Sequence, residues 1–317
     1  MMNYNKFEIF LDDIFLGKKI ILKSIYELEK LFFLKKVKYH ENKHIFITGL
    51  PRSGTTALLN FLDSFDGLDS LKYRNMPLVL SPNFSKIFKK KKNQSQERLH
   101  KDNIYINLES PESFDEVFFK NFNEKEIELE LLNFINLILN SNNSNRYLSK
   151  NNLNYKRIEL IRKILPNSLF LIPIRNPIQH AYSLLNQHHN FKKIHKTSNF
   201  SKRYMKYLGH EEFGDIHTHW NVPKNFAELD TLNYWLEQWK LFYLNIYEKY
   251  KNLKYCKFVI YEKLENSNYV KEILSYLDIN KDSHDSFKIS KKEITEKYDE
   301  NLSQQANDIY SKFLKLN

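Results

Sequence analysis

The chain has 317 residues, 42% of them hydrophobic and 15% aromatic, which is enough apolar material for one large α/β domain and excludes a disordered polyelectrolyte. Its 49 Lys and Arg against 38 Asp and Glu leave a formal charge of +11. Because the basic residues are dispersed, that excess reads as composition or as a small anionic ligand, not as a nucleic-acid partner. Cys256 is the only cysteine, so an intrachain disulfide and a cysteine-based metal site are excluded.

Residues 5–36 carry Phe7, Leu11, Ile14 and Phe15, then Ile21, Ile25, Leu28 and Phe32, at helical spacing. Residues 1–40 therefore read as a helical extension packed on the main domain. Asp12, Asp13, Lys18 and Lys19 interrupt this segment, which does not have the shape of a signal peptide. No apolar run approaches the roughly 18 residues of a membrane helix, and the expectation is a cytoplasmic protein without a transmembrane segment.

HIFITGLPRSGTTALLNFL, residues 44–62, reads as strand, turn and helix. Gly49 and Gly54 have the spacing of a phosphate-binding loop, but Thr55 stands where that loop carries its lysine, and the only cation in the turn is Arg52. Lys89 to Lys92, beside Asn93 to Gln96, reads as a solvated loop. Residues 103–119 start extended and turn into a predicted helix with Ser110 as cap and Pro111 in its first turn, placing Glu112 and Glu116 on one face. A helix at about 125–140 follows, and RYLSKNN then leads to a helix ended by Pro166. SLFLIPI, 168–174, has the continuous apolar character of a buried strand. It ends at Arg175-Asn176-Pro177 and passes into a helix containing Ser183. Residues 191–231 have no clear period and are expected to form an irregular insertion. An amphipathic helix spans LNYWLEQWKLFYLNIYEKY, YCKFVIYEKL is a strand turning into a helix, and 281–317 is a charged tail ending in a helix. Strands alternating with helices predict a single α/β domain over 1–317, its core at 44–280, with a parallel sheet flanked by helices on both faces.

Backbone N–H groups of a glycine-rich turn at a helix N-terminus bind an anion whatever the rest of the ligand. Without the lysine that reaches a γ-phosphate, a triphosphate is disfavoured, and Arg52 suits a planar contact to a terminal oxyanion. Arg175 at the end of a predicted parallel strand, with Ser183 two turns into the next helix, offers a second phosphate site. A nucleotide held at two separate phosphates matches 3′-phosphoadenosine 5′-phosphosulfate (PAPS).

These segments resemble the PAPS-dependent sulfotransferases. Pro51-Arg52-Ser53-Gly54-Thr55-Thr56 is similar to their 5′-phosphosulfate loop, and Arg175 with Ser183 to their 3′-phosphate motif. Asn176 replaces the usual aspartate of their R-D-P turn. FVIYEKL is similar to a later strand end whose tyrosine, here Tyr261, lies near the nucleotide. The resemblance spans about 44–280 and implies a P-loop-like fold, PAPS as co-substrate, no metal, and an acceptor that is a carbohydrate or another hydroxyl or amine compound.

It also implies roles. SPESFDEVFF is similar to a heparan-type segment whose last glutamate is the base, which falls on Glu116, with Glu112 as neighbour. Lys150 resembles the lysine of an N-K-D-P turn that contacts the transferring group, and Arg52 would share in neutralising the leaving charge. His188 is an alternative base. The histidines match no usual zinc spacing, so no metal site is expected. Two rival readings are a P-loop nucleotide kinase, opposed by the missing lysine, and a non-catalytic polyanion-binding protein, opposed by the intact Arg175, Ser183 and Lys150.

Overall fold

The protein, here a computed structural model, is described over residues 6–35, 39, 41–87, 95–97, 105–220, 228–280 and 287–316. Lys89 to Lys92, the stretch 221–227 and the start of the tail lie outside these residues. In chain order the elements begin with α1 (Lys6–Phe15), α2 (Lys19–Phe33), β1 (Ile45–Ile47), α3 (Thr55–Asp63), β2 (Leu68–Asp69) and α4 (Pro82–Ile87). A short antiparallel pair, β3 (Gln96–Glu97) and β4 (Tyr105–Ile106), precedes α5 (Glu116–Asn121), α6 (Glu124–Asn142), β5 (Arg146–Lys150) and α7 (Ile158–Ile164). Then come β6 (Leu169–Ile174), α8 (Pro177–Thr197), α9 (Asn199–Leu208), α10 (Leu232–Tyr250), β7 (Cys256–Ile260), α11 (Ser267–Tyr276) and α12 (Glu300–Leu314).

The main sheet has five strands in the order β2-β5-β1-β6-β7, all parallel. Helices cover both faces, which is why β1 and β6 are apolar without alternation. Phe46 of β1 lies in register between Ser149 and Phe170 and stacks on Phe170 at 5.3 Å. A proline inside a central strand is unusual, yet Pro173 fits β6. Its missing N–H falls on the β1 side, where β1 pairs only as far as Leu171 and then leaves for the loop. The freed geometry is used: the Pro173 carbonyl accepts the Tyr243 hydroxyl at 2.9 Å. His44 clamps the base of the sheet, with Nδ1 accepting from the Tyr147 N–H at 2.9 Å and Nε2 against the Tyr39 carbonyl.

The α/β class, the parallel sheet and the strand–loop–helix at 44–62 match the expectation. Two expectations need correction. No helix starts at Ser110: residues 105–106 pair with β3, Pro111 makes an isolated bridge to Lys72, and the helix begins at Glu116. Glu112 and Glu116 therefore do not share a helix face. The Ser110 hydroxyl still accepts an N–H, but from Asn107 within a turn. Nor is 191–231 irregular throughout. Helix α8 continues to Thr197, and α9 buries Ser201, Tyr204, Met205 and Leu208 at helical spacing.

Phe170→Ala should cost about 3–5 kcal/mol, since this fully buried ring stacks between neighbouring strands. Urea denaturation should show it as a lower midpoint at unchanged slope; a loss below about 1 kcal/mol would mean that the central packing is loose.

Candidate functional site

One cavity opens at the C-terminal ends of the parallel strands, where ligands collect in open α/β sheets. Its floor is the turn between β1 and α3. Three residues there take positive φ: Gly49 at +142°, Gly54 at +103° and Arg52 at +69°. A Cβ on Gly54 would stand 2.7 Å from the Tyr261 ring, so only glycine lets that ring close over the loop. Ser53 is fully buried and its hydroxyl donates to the Leu50 carbonyl at 2.7 Å, which shapes the turn from inside. Thr55 and Thr56 open α3 and line the cavity.

Arg175 follows β6 and is 5% exposed. Its two terminal nitrogens donate to the backbone carbonyls of Arg52 (3.3 Å) and Ser290 (2.6 Å), and its guanidinium lies 4.9 Å above the Tyr261 ring. Its Nε is buried without a partner. Asn176, where an aspartate is usual, caps α8 by accepting from the Gln179 N–H, while its own N–H donates to Glu262. That cap directs α8 so that Ser183 comes under the loop, and the Arg52 Nε donates to the Ser183 hydroxyl at 3.3 Å. The loop and the helix after β6 thus meet as expected.

The sequence reading missed a third cation. Residues 287–299 cross the cavity rim as a strap. Gln179 pairs in both directions with the Lys292 backbone, and the Ser290 N–H donates to the Tyr261 hydroxyl. Lys292 lines the cavity, and its ammonium is lowered by burial first and then by the charges of Arg52 and Arg175. Arg52, Arg175 and Lys292 therefore converge on one space, and the two carboxylates lining the cavity, Glu112 and Glu212, are engaged by Lys150 and His210.

The chain belongs to the sulfotransferase family. A family profile described as "Sulfotransferase family" matches residues 44–283, the stretch that carries the loop, Arg175, Ser183 and Tyr261. No curated protein matches the chain. Among solved structures it is similar to sulfotransferase STF9 of Mycobacterium avium, at 12% identity and TM-score 0.48, covering 98% of this chain and 79% of that one. STF1 of Mycobacterium tuberculosis H37Rv shows 12% identity and TM-score 0.46 over 96% and 85% of the two chains. Mouse SULT7A1, solved with PAP, shows 14% identity and TM-score 0.36 over 93% and 73%.

Across the cavity from the sulfotransferase loop, Lys150 ends β5 with its ammonium 3.5 Å from Glu112. Lys150 is thus the last strand residue rather than part of a turn. Glu112 also accepts the Tyr73 hydroxyl at 3.1 Å, and it reaches the cavity because the Lys72–Pro111 bridge pins its loop. Glu116 does not line the cavity. Its carboxylate accepts from Arg157 at 2.5 Å and Asn151 at 2.8 Å, with its stem packed toward Gly209. Between them Asp115, wholly enclosed, is pushed up to about 6 by burial despite hydrogen bonds from Ser149 and Asn151.

His188 also lies off the cavity. Its Nδ1 accepts the Gly214 N–H at 3.2 Å, its ring packs 5.3 Å from Trp235, and burial with His217 lowers it to about 4. It is neutral at pH 7 and holds a turn. His210 and Glu212, by contrast, face the cavity, a pair the sequence reading did not single out. Among the described residues no group of three His, Cys, Asp or Glu could hold a metal ion.

Three buried histidines and one half-buried one give the fold an acid limit. His44, His188 and His217 are lowered to about 4 and His180 to about 3, each chiefly by burial. The unfolded chain takes up their protons first, below about 6.5. The stability they contribute is therefore complete above pH 6.5 and is lost as pH falls toward 4, at up to about 1.4 kcal/mol per pH unit for each histidine. Urea midpoints measured from pH 7.5 to 4.5 should fall steeply below 6.5, and a flat profile would contradict the buried neutral assignments.

Proposed function

We propose that this sulfotransferase moves a sulfuryl group from PAPS to a hydroxyl or amine of a small-molecule or carbohydrate acceptor. The observation that carries the reading is the convergence of Arg52, Arg175 and Lys292 beside an α-helix N-terminus, with the Ser183 hydroxyl accepting from Arg52. The orphaned Arg175 Nε and the Gly54 cradle under Tyr261 fit a bisphosphorylated nucleotide. Arg52 to Thr56 would hold the 5′-phosphosulfate through loop N–H groups, and Arg175, Ser183 and Lys292 the 3′-phosphate. Thr55 in the lysine position leaves nothing to reach a γ-phosphate.

The donor supplies an activated sulfuryl group, whose bond to the 5′-phosphate oxygen breaks as the bond to the acceptor oxygen or nitrogen forms. Lys150 and Arg52 would neutralise the oxygens of the departing phosphate, and the acceptor's proton passes to a base in the cavity wall. Glu112 is that base: it faces the cavity beside Lys150, whereas Glu116 is engaged by Arg157 and His188 by Gly214. No metal is required by this set, since the side chains themselves supply the neutralising charge.

3′-Phosphoadenosine 5′-phosphate should raise the melting temperature without metal, and ATP with Mg²⁺ should not; at about a hundred times its dissociation constant a ligand adds roughly 2.7 kcal/mol. Lys292→Ala and Arg175→Ala should each weaken that binding by about 1.5–3 kcal/mol while hardly touching adenosine 5′-phosphosulfate. An equal response to ATP favours a kinase, and equal weakening of both nucleotides removes these residues from the 3′-phosphate.

Glu112→Gln should lower kcat by about 10²–10⁴-fold at unchanged donor affinity. Glu116→Gln is the matched comparison. If it abolishes turnover while Glu112→Gln does not, the proton goes to Glu116 after a local rearrangement around Arg157.

A further inference from the structure

The acceptor half of the cavity has a charge pattern of its own. Glu212 and His210 follow α9 and its αL-capping Gly209. The His210 Nε2 donates to the Ser113 carbonyl at 2.9 Å, and its Nδ1 lies 3.7 Å from the Glu212 Oε1. That same Oε1 accepts the Asn152 amide at 3.0 Å. Burial opposes both charges, but the imidazolium holds Glu212 down to about 2, and Glu212 raises His210. Both contacts to the Glu212 side chain fall on this one oxygen. The other, Oε2, has no hydrogen-bond partner among the described residues, on a side chain that is 6% exposed and lines the cavity. The same cavity is lined by Phe114, Phe191, Tyr204, Met205, Leu208 and Phe213.

We propose that Glu212 is an acceptor-positioning residue, its Oε2 receiving a hydrogen bond from a second hydroxyl or amine of an apolar acceptor, beside the group that is sulfated. The inference rests on the sulfotransferase reading above and names its substrate class. Water can meet that oxygen while the cavity is open, but an apolar acceptor that displaces the water must supply a donor in its place or leave a carboxylate oxygen unmet, which is costly. The cations of this half have other duties: Lys150, beside Glu112, serves the departing phosphate of the donor, and His210 faces Glu212. An acidic saccharide would find no uncommitted cation on this wall and two carboxylates, so polyanionic acceptors are selected against.

The test uses full-length protein, PAPS and four acceptors: 4-ethylphenol, 4-(2-hydroxyethyl)phenol, tyramine and a uronic acid disaccharide. The wild type should favour at least one two-donor phenol over 4-ethylphenol by about tenfold or more in kcat/KM and leave the disaccharide unsulfated. Glu212→Gln should erase that preference by raising KM for the two-donor phenols. The melting shift with 3′-phosphoadenosine 5′-phosphate should survive in the variant, which reports an intact fold and donor site. A preference that survives in Glu212→Gln, equal use of the phenols by the wild type, or a preference for the disaccharide overturns the assignment. A normal nucleotide shift with no turnover of any phenol overturns it too, while sparing the donor reading. Absence of the shift in the wild type sinks the donor reading itself, and the anchor with it.

Discussion

Arg52, Arg175 and Lys292 repel one another across a space that solvent screens poorly. Each must therefore be held in place, and the restraints account for much of the surrounding architecture. Arg175 spends two donors on backbone carbonyls and its flat face on Tyr261. Lys292 is positioned by its backbone, through Gln179. Arg52 sits on a left-handed residue of the turn and donates to Ser183. Carbonyl and ring partners hold the Arg175 guanidinium in place without neutralising it, so its charge remains available to an anion. Carboxylate partners would have satisfied the fold better and left the cavity useless to a phosphate.

How much of this could be read beforehand follows the reach of each signal along the chain. The loop at 49–56 and the Arg175–Ser183 pair each lie within one strand–turn–helix, where the spacing of residues is itself the geometry. Lys292 arrives from more than a hundred residues away, in a segment with neither helix nor strand, and no local pattern announces it. Ser110 and Pro111 misled for a definite reason. A serine that accepts an N–H from a turn and a proline at an isolated bridge have the same composition as a helix start. The segment after 191 hid its helices because α8 buries polar side chains such as Gln187, His188 and His195 together with its apolar ones. Burial there does not follow hydropathy, and a periodicity argument sees only hydropathy.

The acids around β5 show that a perturbed carboxylate need not be the reactive one. Asp115 is strongly shifted, yet it is closed off and braced by Ser149 and Asn151, the residues on either side of Lys150. Glu116 and Arg157 extend the same brace. Perturbation marks burial, and burial marks function only where a cavity reaches the group. In this sulfotransferase the cavity reaches Glu112 and Glu212, four residues before α5 and four residues after α9, and bypasses the acids inside α5 and at its start.

The two halves of the cavity are built from different materials. The donor half rests on the ends of β1, β6 and β7, held in register by five parallel strands whose side chains have no room to move. The acceptor half rests on α9, the turn after it and the loop around Glu112, which meet the sheet through side chains and single hydrogen bonds such as His210 to Ser113. Substitutions in α9 change the wall without disturbing the strand ends. On the proposed assignment of the two halves, such a fold can keep one donor and exchange acceptors, because the residues proposed to fix the nucleotide and those proposed to select its partner overlap little. Arg52, Lys150 and Glu112, where the halves meet, are the positions at which that independence ends.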